Sequence, residues 1–430
     1  MACFALVDCN NFFVSCERAF QPQLEGKAVV VLSNNDGCAV ARSNEAKALG
    51  IKMGTPFFQL QKLVASGRLE VRSSNYTLYG DMSARVMGIL RETDPALEVY
   101  SIDEAFLHLD EIAPERRREV ALALVRKIRR WTGIPVSIGI APTKTLAKVA
   151  ARFAKRYSGY RGVCVIDSEE RRSKALSLTE IGDVWGVGWR GAPKLISRGI
   201  TTAASLVEMP EEWVRKQMGV GGVRTWRELQ GIVALDAEKP ESRKSICTSR
   251  SFADMIESLD ELRLRVADFA ALCAQKLRRD GSVAREVGVF IHTNRFRPEL
   301  PQYYPFYSVT LTVPSNSTHQ IVGAALDAVS HIYKAGYAYK RAGVLVDDIV
   351  PAQAATAEHT LFEDPEKIAA DADRRQRENK LSALMDAVNN PSSPILRLAA
   401  QHAGPYSEGI RHDHASPRYT THWDELLEIH

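Results

Sequence analysis

Two carboxylates, Asp103 and Glu104, stand side by side inside LEVYSIDEAFLHL, a stretch from Leu97 to Leu109 that otherwise alternates as a β-strand should. Neighbouring side chains on a straight strand point to opposite faces, so one of the two charges would have to enter the core. A bend between two strands removes the conflict, and the sequence therefore predicts a hairpin turn across Tyr100–Phe106 with both carboxylates at a sheet edge. A third acid, Asp8, ends the apolar run from Cys3 to Val7, which places it at the end of a strand. Three acids gathered there could hold two divalent cations. Hard cations such as Mg2+ take carboxylate, carbonyl and phosphate oxygens, and a pair of them stabilises both the attacking and the leaving oxygen of a phosphoryl transfer. By pattern alone, surface charge or ion pairing remains an equal alternative.

A chain of 430 residues is too long for one core, because single cores stop growing near ~250 residues, so several domains are expected. Phe12, Phe13 and Cys16 follow Asp8 in helical spacing. Ala28–Leu32 and the CAVARS run beyond SNNDG read as a β-hairpin whose Asp36-Gly37 pair tolerates positive φ, and NEAKALG reads as a helix stopped at Gly50. Glu119–Trp131 reads as a basic amphipathic helix, Ile134–Ile140 as a strand, and APTKTLAKVAARFAK as a helix with Pro142 placed early, where a missing N–H costs little. The order β-α-β-β-α-β-α predicts an α+β sheet layered with helices.

From Ile181 the pattern changes to short helices separated by glycines, as in a small all-helical domain. Residues 234–251 are polar and interrupted by Pro240, as an interdomain tether should be. A second α/β unit follows, with helices over Leu259–Leu277 and Gln320–Tyr333 and strands over REVGVFIHT, YSVTLTV and AGVLVDDIV. The tail from Pro351 adds a helical pattern over Asp373–Val388 and is expected to be a loosely attached appendage.

A net charge of +4 with pI near 8.6 is only mildly basic, so charge by itself does not select nucleic acid as the partner. The cysteines (Cys3, Cys9, Cys16, Cys38, Cys164, Cys247 and Cys273) form no CxxC pair and no His-interleaved zinc spacing, which predicts reduced, buried thiols in a cytoplasmic protein. MACFALVDCNNFF lacks the basic start and cleavage site of a signal peptide, and no apolar run reaches the ~20 residues of a membrane helix. Neither secretion nor membrane residence is expected.

The strings LVDCNNFFVSCE, VVVLSNNDGCAVARSNEAKALGIKMG, SIDEAF and IGIAPTKTLAKVAARFAK occur in the order found in the Y-family, or lesion-bypass, DNA polymerases. PRYTTHWDELLEI resembles the end of the UmuC-like branch, the catalytic subunits of bacterial DNA polymerase V, so the resemblance spans the whole chain. It implies an α+β multidomain, right-hand polymerase: an α+β palm over 1–25 and 73–167, small fingers over 26–72, and a helical thumb with a helix-hairpin-helix over 168–233. The linker over 234–251, an α/β little finger over 252–350 and a C-terminal region over 351–430, with a clamp-binding-like motif and a partner-binding tail, complete it.

The same resemblance implies roles residue by residue. Asp8, Asp103 and Glu104, with the main-chain carbonyl of Cys9, match the ligands of two Mg2+ ions per active site. Phe13 matches the steric gate, a ring packed under the deoxyribose that leaves no room for a 2′-hydroxyl, with Phe12 beside it at the nucleotide. UmuC-like chains usually carry Tyr at the gate, so Phe13 keeps the ring and loses the hydroxyl. Lys155 matches a lysine on the incoming triphosphate, Lys47 falls where other branches place a basic residue for the same phosphates, and Asn44 stands where they have Tyr. GVGWRGAPKL resembles a helix-hairpin-helix in which Gly186 and Gly188 let backbone N–H groups approach a DNA phosphate, with Lys194 close by. Arg243, Lys244, Arg250, Arg278, Arg279, Arg285, Arg295 and Arg297 are candidates to line a duplex backbone. In EHTLFED, Leu361 and Phe362 resemble the motif that docks on the sliding clamp, with Glu358 in place of the usual Gln.

The function so implied is template-directed, error-prone incorporation of dNTPs opposite damaged template on primed DNA. The implied partners are a UmuD′-like dimer, RecA and the sliding clamp, with no membrane. Taken singly, the motifs also fit a core aromatic, a structural glycine turn and scattered surface charge. A two-metal nuclease and a non-catalytic DNA-binding scaffold of the same fold are the rival functions.

Overall fold

A computed structural model of the chain describes residues 2–235, 243–354, 365–389, 396–401 and 411–426. It separates into two compact units, Met1–Lys239 with His412–His430, and Pro240–Arg411.

The first unit opens with strand β1 (Phe4–Cys9) and helix α1 (Phe12–Phe20). A small three-stranded sheet follows: β2 (Val29–Leu32), β3 (Ala39–Arg42), α2 (Asn44–Ala48), α3 (Phe57–Ala65) and β4 (Glu70–Arg72), in the order β3-β2-β4. The chain then returns through α4 (Tyr76–Arg91), β5 (Glu98–Val99), β6 (Glu104–His108), α5 (Pro114–Thr132), β7 (Val136–Ala141), α6 (Lys144–Arg156) and β8 (Val163–Val165). These strands form the sheet β5-β6-β1-β7-β8, with β1 central and antiparallel to both β6 and β7.

Strand periodicity assigns the two faces of that sheet. Ala5 and Val7 of β1 join the core cluster shared with α4 and α5, while Phe4 and Leu6 join the cluster under α6. α6 lies close to β7 because the contact is made of small residues, Gly139 against Ala147, Ala150 and Ala151. Thr143 caps α6, accepting from Leu146 N, so Pro142 lies just before the cap rather than inside the helix.

Helices α7 (Glu169–Leu178), α8 (Gly191–Ile196), α9 (Ala203–Val207) and α10 (Glu211–Leu229) complete the unit as the all-helical segment expected. Glu228 fastens them to α6: fully buried, it accepts from Thr145 N at 2.9 Å and from Ala234 N and Leu235 N at 2.9 and 3.2 Å.

In the second unit β9 (Ile246–Ile256), α11 (Leu259–Arg279), β10 (Ser282–Thr293), β11 (Phe306–Ser315), α12 (Thr318–Ile332) and β12 (Tyr339–Pro351) form an antiparallel sheet in the order β11-β10-β12-β9, packed against the two helices. A last helix, α13 (Pro365–Val388), is fixed by Arg278, which donates to Asp386 at 2.6 and 2.8 Å, and by Ser382, whose hydroxyl accepts from Thr318 N at 3.2 Å.

Three further expectations change. The stretch 234–251 is not a tether throughout, since its residues from Ile246 onward pair with β12; Ile246 and Thr248 face the core while Cys247 is exposed, and a strand with one wet face reads as polar. In the turn between β2 and β3 the positive φ values fall on Asn35 and Asp36, and Gly37 is right-handed. Asp tolerates the left-handed region, and the Asp36 carboxylate accepts from Asp413 N at 2.9 Å; Gly37 is suited to its place by closeness to Ser33 Oγ. The tail, finally, is no loose appendage over residues 411–426: Tyr419 stacks on Phe20 at 4.8 Å and is buried to 8% exposure. The clamp-like residues Leu361 and Phe362, with Glu358, lie outside the described residues.

Candidate active site

The hairpin predicted from the two adjacent acids is present. Glu98 pairs with Phe106 and Val99 with Ala105, and the amides of Tyr100 and Ser101 both donate to Glu104 O at 3.0 Å. Asp103 occupies the turn and Glu104 opens β6, directly opposite Asp8 on β1, while Cys9 N donates to Asp103 O at 2.9 Å. Two distant stretches of chain thus bring Asp8, Asp103 and Glu104 to one end of the sheet.

Period two then decides which way the acids point. Asp8 shares a face with Phe4 and Leu6, and Glu104 shares one with Phe106, so both side chains lie on the side covered by α6. Lys148 and Lys155, two helical turns apart, meet them there. Lys155 Nζ donates to both Asp8 oxygens at 2.9 and 3.2 Å, and Lys148 Nζ to Glu104 Oε2 at 2.7 Å. The Asp103 carboxylate accepts from Ser101 Oγ at 2.7 Å. Burial pushes the Asp8 carboxyl above the usual carboxylate range, Lys155 pulls it back, and the neighbouring Glu104 and Asp103 push it up again.

Among the described residues no three His, Cys, Asp or Glu side chains form a cluster spaced to hold a metal ion. Three like charges in one corner repel, and each takes its own cation or hydroxyl. In kind the donors fit a hard divalent cation, since carboxylate and carbonyl oxygens dominate and the buried Cys9 thiol is held firmly protonated by burial and by the acids around it.

Phe13 lies in the first turn of α1, half-buried, its ring stacked on Tyr79 of α4 at 4.4 Å and 14° and met edge-on by Tyr76 at 5.8 Å. Phe12 departs from expectation: it is only 3% exposed, turned into the core, so its ring cannot face a nucleotide. Lys47 on α2 donates to Asn11 Oδ1 at 2.6 Å. Partial burial and the nearby cations Lys155 and Arg42 lower its affinity for a proton.

Sequence reasoning missed Lys148, Asn11 and Tyr79. Lys148 Nζ lies over the rings of Tyr100 at 4.2 Å and Trp185 at 5.0 Å, and Trp185 Nε1 donates to Tyr100 Oη at 3.2 Å, so the cation on Glu104 is enclosed by aromatic faces. Its seven-residue spacing from Lys155 was the available signal. Asn11, in the left-handed region at φ 48° before α1, turns its side chain to Lys47 and Asn44 instead of capping the helix.

Gly186 is required structurally, at φ 88° with any Cβ 2.6 Å from Thr225 Oγ1, whereas Gly188 faces open space. The Gly188 carbonyl accepts from the amides of Gly191 and Ala192 at 2.8 and 3.0 Å, Lys194 is exposed, and Trp189 stands 79% exposed beneath the Arg190 guanidinium. In the second unit Arg243 is exposed and pairs with Asp280 at 3.1 Å, and Lys244 is exposed. Arg250 is corrected: it pairs across from buried Ala342 in register with Ile246 and Thr248, on the helix-covered face near Asp268, and burial lowers its pKa. Arg278 is corrected too, its guanidinium being committed to Asp386, Asn316 O and Thr318.

The model described as the impB/mucB/samB family matches residues 7–152, its C-terminal domain matches 243–359, and a domain of unknown function matches 379–429. Protein ImpB of Salmonella typhimurium is 37% identical, over 98% of this chain and 98% of its own. UmuC of Salmonella typhimurium strain LT2 is 37% identical, over 99% of this chain and all of its own. A solved Y-family DNA polymerase chimera, Dbh-Dpo4(243-245)-Dbh, shares the fold with TM-score 0.66 at 20% identity, covering 81% of this chain and 99% of that one.

Fold and sequence together define a Y-family DNA polymerase, an enzyme of error-prone translesion synthesis. The chain belongs to the impB/mucB/samB family and is UmuC-like. A divalent metal requirement comes with that fold. Among the described residues no helix is long and apolar enough to cross a membrane.

Proposed function

We propose that this chain joins a dNTP to a primer 3′-hydroxyl opposite a template base at the corner where β1, the β5–β6 turn and α6 meet. The observation that carries the reading is Asp8 placed across from Glu104, with Lys155 on the first and Lys148 on the second. The primer 3′-hydroxyl gives up its proton to water, its oxygen attacks the α-phosphorus to form a new P–O bond, and the bond to the leaving pyrophosphate breaks. Asp8, Asp103, Glu104 and the Cys9 carbonyl would hold two Mg2+ ions, whose charge would offset that of the reacting phosphates. Lys155 and Lys47 are the cations that receive the triphosphate: both are side chains free to leave their present partners, and both flank Asp8. Phe13, resting on Tyr79, forms the floor beneath the sugar and excludes a 2′-hydroxyl.

On this reading the five-stranded sheet with its helices is the palm, the three-stranded sheet the fingers, α7–α10 the thumb and the second unit the little finger. The loop around Gly188 and Lys194 meets DNA phosphates. Arg243 and Lys244, with Arg341 on β12, serve the duplex in the second unit; Arg341 stands across from exposed Ser251, on the face opposite Arg250. A UmuD′-like dimer, RecA and the sliding clamp are the proposed partners, in the bacterial cytoplasm.

The test is extension of a primed template by purified protein with Mg2+ and dNTPs, with and without those partners. Asp103→Ala should abolish extension while leaving duplex binding largely intact. Undiminished extension would refute the assignment, and nucleotide release from DNA without any dNTP would favour a nuclease.

A further inference from the structure

The C-terminal segment 411–426 passes, at Ser416, beside the floor on which Phe13 rests, and a single buried acid joins the two. Glu17 of α1 is fully buried. Its Oε1 accepts from Tyr79 Oη at 2.6 Å and from Ser416 Oγ at 3.1 Å. Tyr79, also fully buried, carries Phe13 on its ring face. The chain of contacts therefore runs Ser416, Glu17, Tyr79, Phe13.

The segment is anchored independently at both ends of this link. His414 N donates to Ser73 Oγ at 3.1 Å and His414 O accepts from Ser73 N at 3.0 Å, just ahead of α4. Asn75, which caps α4 by accepting from Leu78 N, also donates to Ser416 Oγ and Pro417 O, both at 3.1 Å. Beyond Ser416, Tyr419 stacks on Phe20 and its hydroxyl accepts from Gln21 Nε2 at 3.1 Å. The tail thus grips the start of α4, which bears Tyr76 and Tyr79, and the C-terminal end of α1, the helix whose first turn carries Phe13.

We infer that Glu17 and Ser416 are positioning residues for sugar discrimination: the C-terminal segment, through Glu17, fixes the Tyr79 ring and so the height of Phe13 beneath the nucleotide. This rests on the gate reading of Phe13. It gives the region matched only as a domain of unknown function a part in substrate selection. A buried carboxylate hydrogen-bonded on one oxygen by two hydroxyls orients both, and a stacked ring whose own hydroxyl is fixed cannot slide under load.

The test measures kcat and KM for a ribonucleotide and for the matching deoxyribonucleotide with the full chain, in primer extension. Tyr79→Phe keeps the stacked ring and removes only the hydroxyl, and Ser416→Ala cuts the tail's link. Each should raise the ribonucleotide-to-deoxyribonucleotide ratio of kcat/KM by about threefold or more, chiefly through ribonucleotide KM. Glu17→Ala should do the same and Glu17→Gln should restore the wild-type ratio, because Gln still accepts from Tyr79. A merely structural role would lower both nucleotides in proportion and leave the ratio fixed, which overturns the inference. Phe13→Ala is the control. If it raises the ratio while the other variants do not, the gate stands and the tail link fails; if it too leaves the ratio unmoved, both readings fail.

Discussion

Gly139→Ala is the substitution by which the structure can most sharply be tested. A Cβ at Gly139 would lie 2.7 Å from the Ala150 carbonyl carbon, and nearer still to Ala151 N and Ala147 O, inside the 3.0 Å that real Cβ atoms respect. All three neighbours are backbone of α6, so no rotamer can yield; the helix itself must move off β7 by about 1 Å. Overpacking of this sort costs ~1–3 kcal/mol, or about 2–10 °C in Tm. The same shift carries Lys155 and Lys148 away from Asp8 and Glu104, which they meet at 2.9 and 2.7 Å. Misplacing catalytic groups by ~1 Å is worth on the order of 10²-fold in rate. Single-nucleotide extension kinetics and a thermal melt read the two effects. Gly88→Ala is the control, because Gly88 sits on the exposed side of α4 with nothing within 4 Å of a Cβ, and helix propensity alone should stabilise by ~0.5–1 kcal/mol. A Gly139→Ala protein that melts lower yet extends primers at the wild-type rate would refute the dependence of chemistry on the seat of α6; one unchanged in both would refute the packing.

Arg278→Ala should release α13 from the second unit, losing a two-pronged, mostly buried pair with Asp386 worth ~1.5–3 kcal/mol; faster amide exchange in residues 376–388 with β10 unaffected is the expected readout. Burial raises the Glu17 pKa, so the folded state holds its proton to higher pH than the unfolded one, and the wild type loses stability as pH climbs from the unfolded value upward. Glu17→Gln removes that dependence: its stability relative to wild type should rise between pH 4 and pH 7 in urea melts, and a flat difference would contradict a carboxylate that favours the protonated form.

Much of the site was legible because the signals are local. Adjacent acids in an alternating strand demand a turn, and Asp103 and Glu104 have one. An apolar run ending in an acid places that acid at a strand end, where Asp8 lies. The positive φ at Asn35 and Asp36 rather than at Gly37, and the strand hidden in polar residues 246–251, show the limit: composition marks where a chain bends or meets water, not which residue takes the strain or which face is wet.

Sequence periodicity and turn chemistry determined many of the elements of this protein, β1, β6, β7 and α6 among them, and the carboxylates at the ends of β1 and β6, since period and local φ preferences are properties of a few consecutive residues. Only the tertiary structure decided which side chains meet. The side of the sheet Arg250 takes depends on register with β12, the pairing of Lys148 with Glu104 on the close seat of α6, and the link from Ser416 to Tyr79 on a contact spanning most of the chain. Such choices are made by long-range packing, in which residues far apart in sequence compete for the same buried positions.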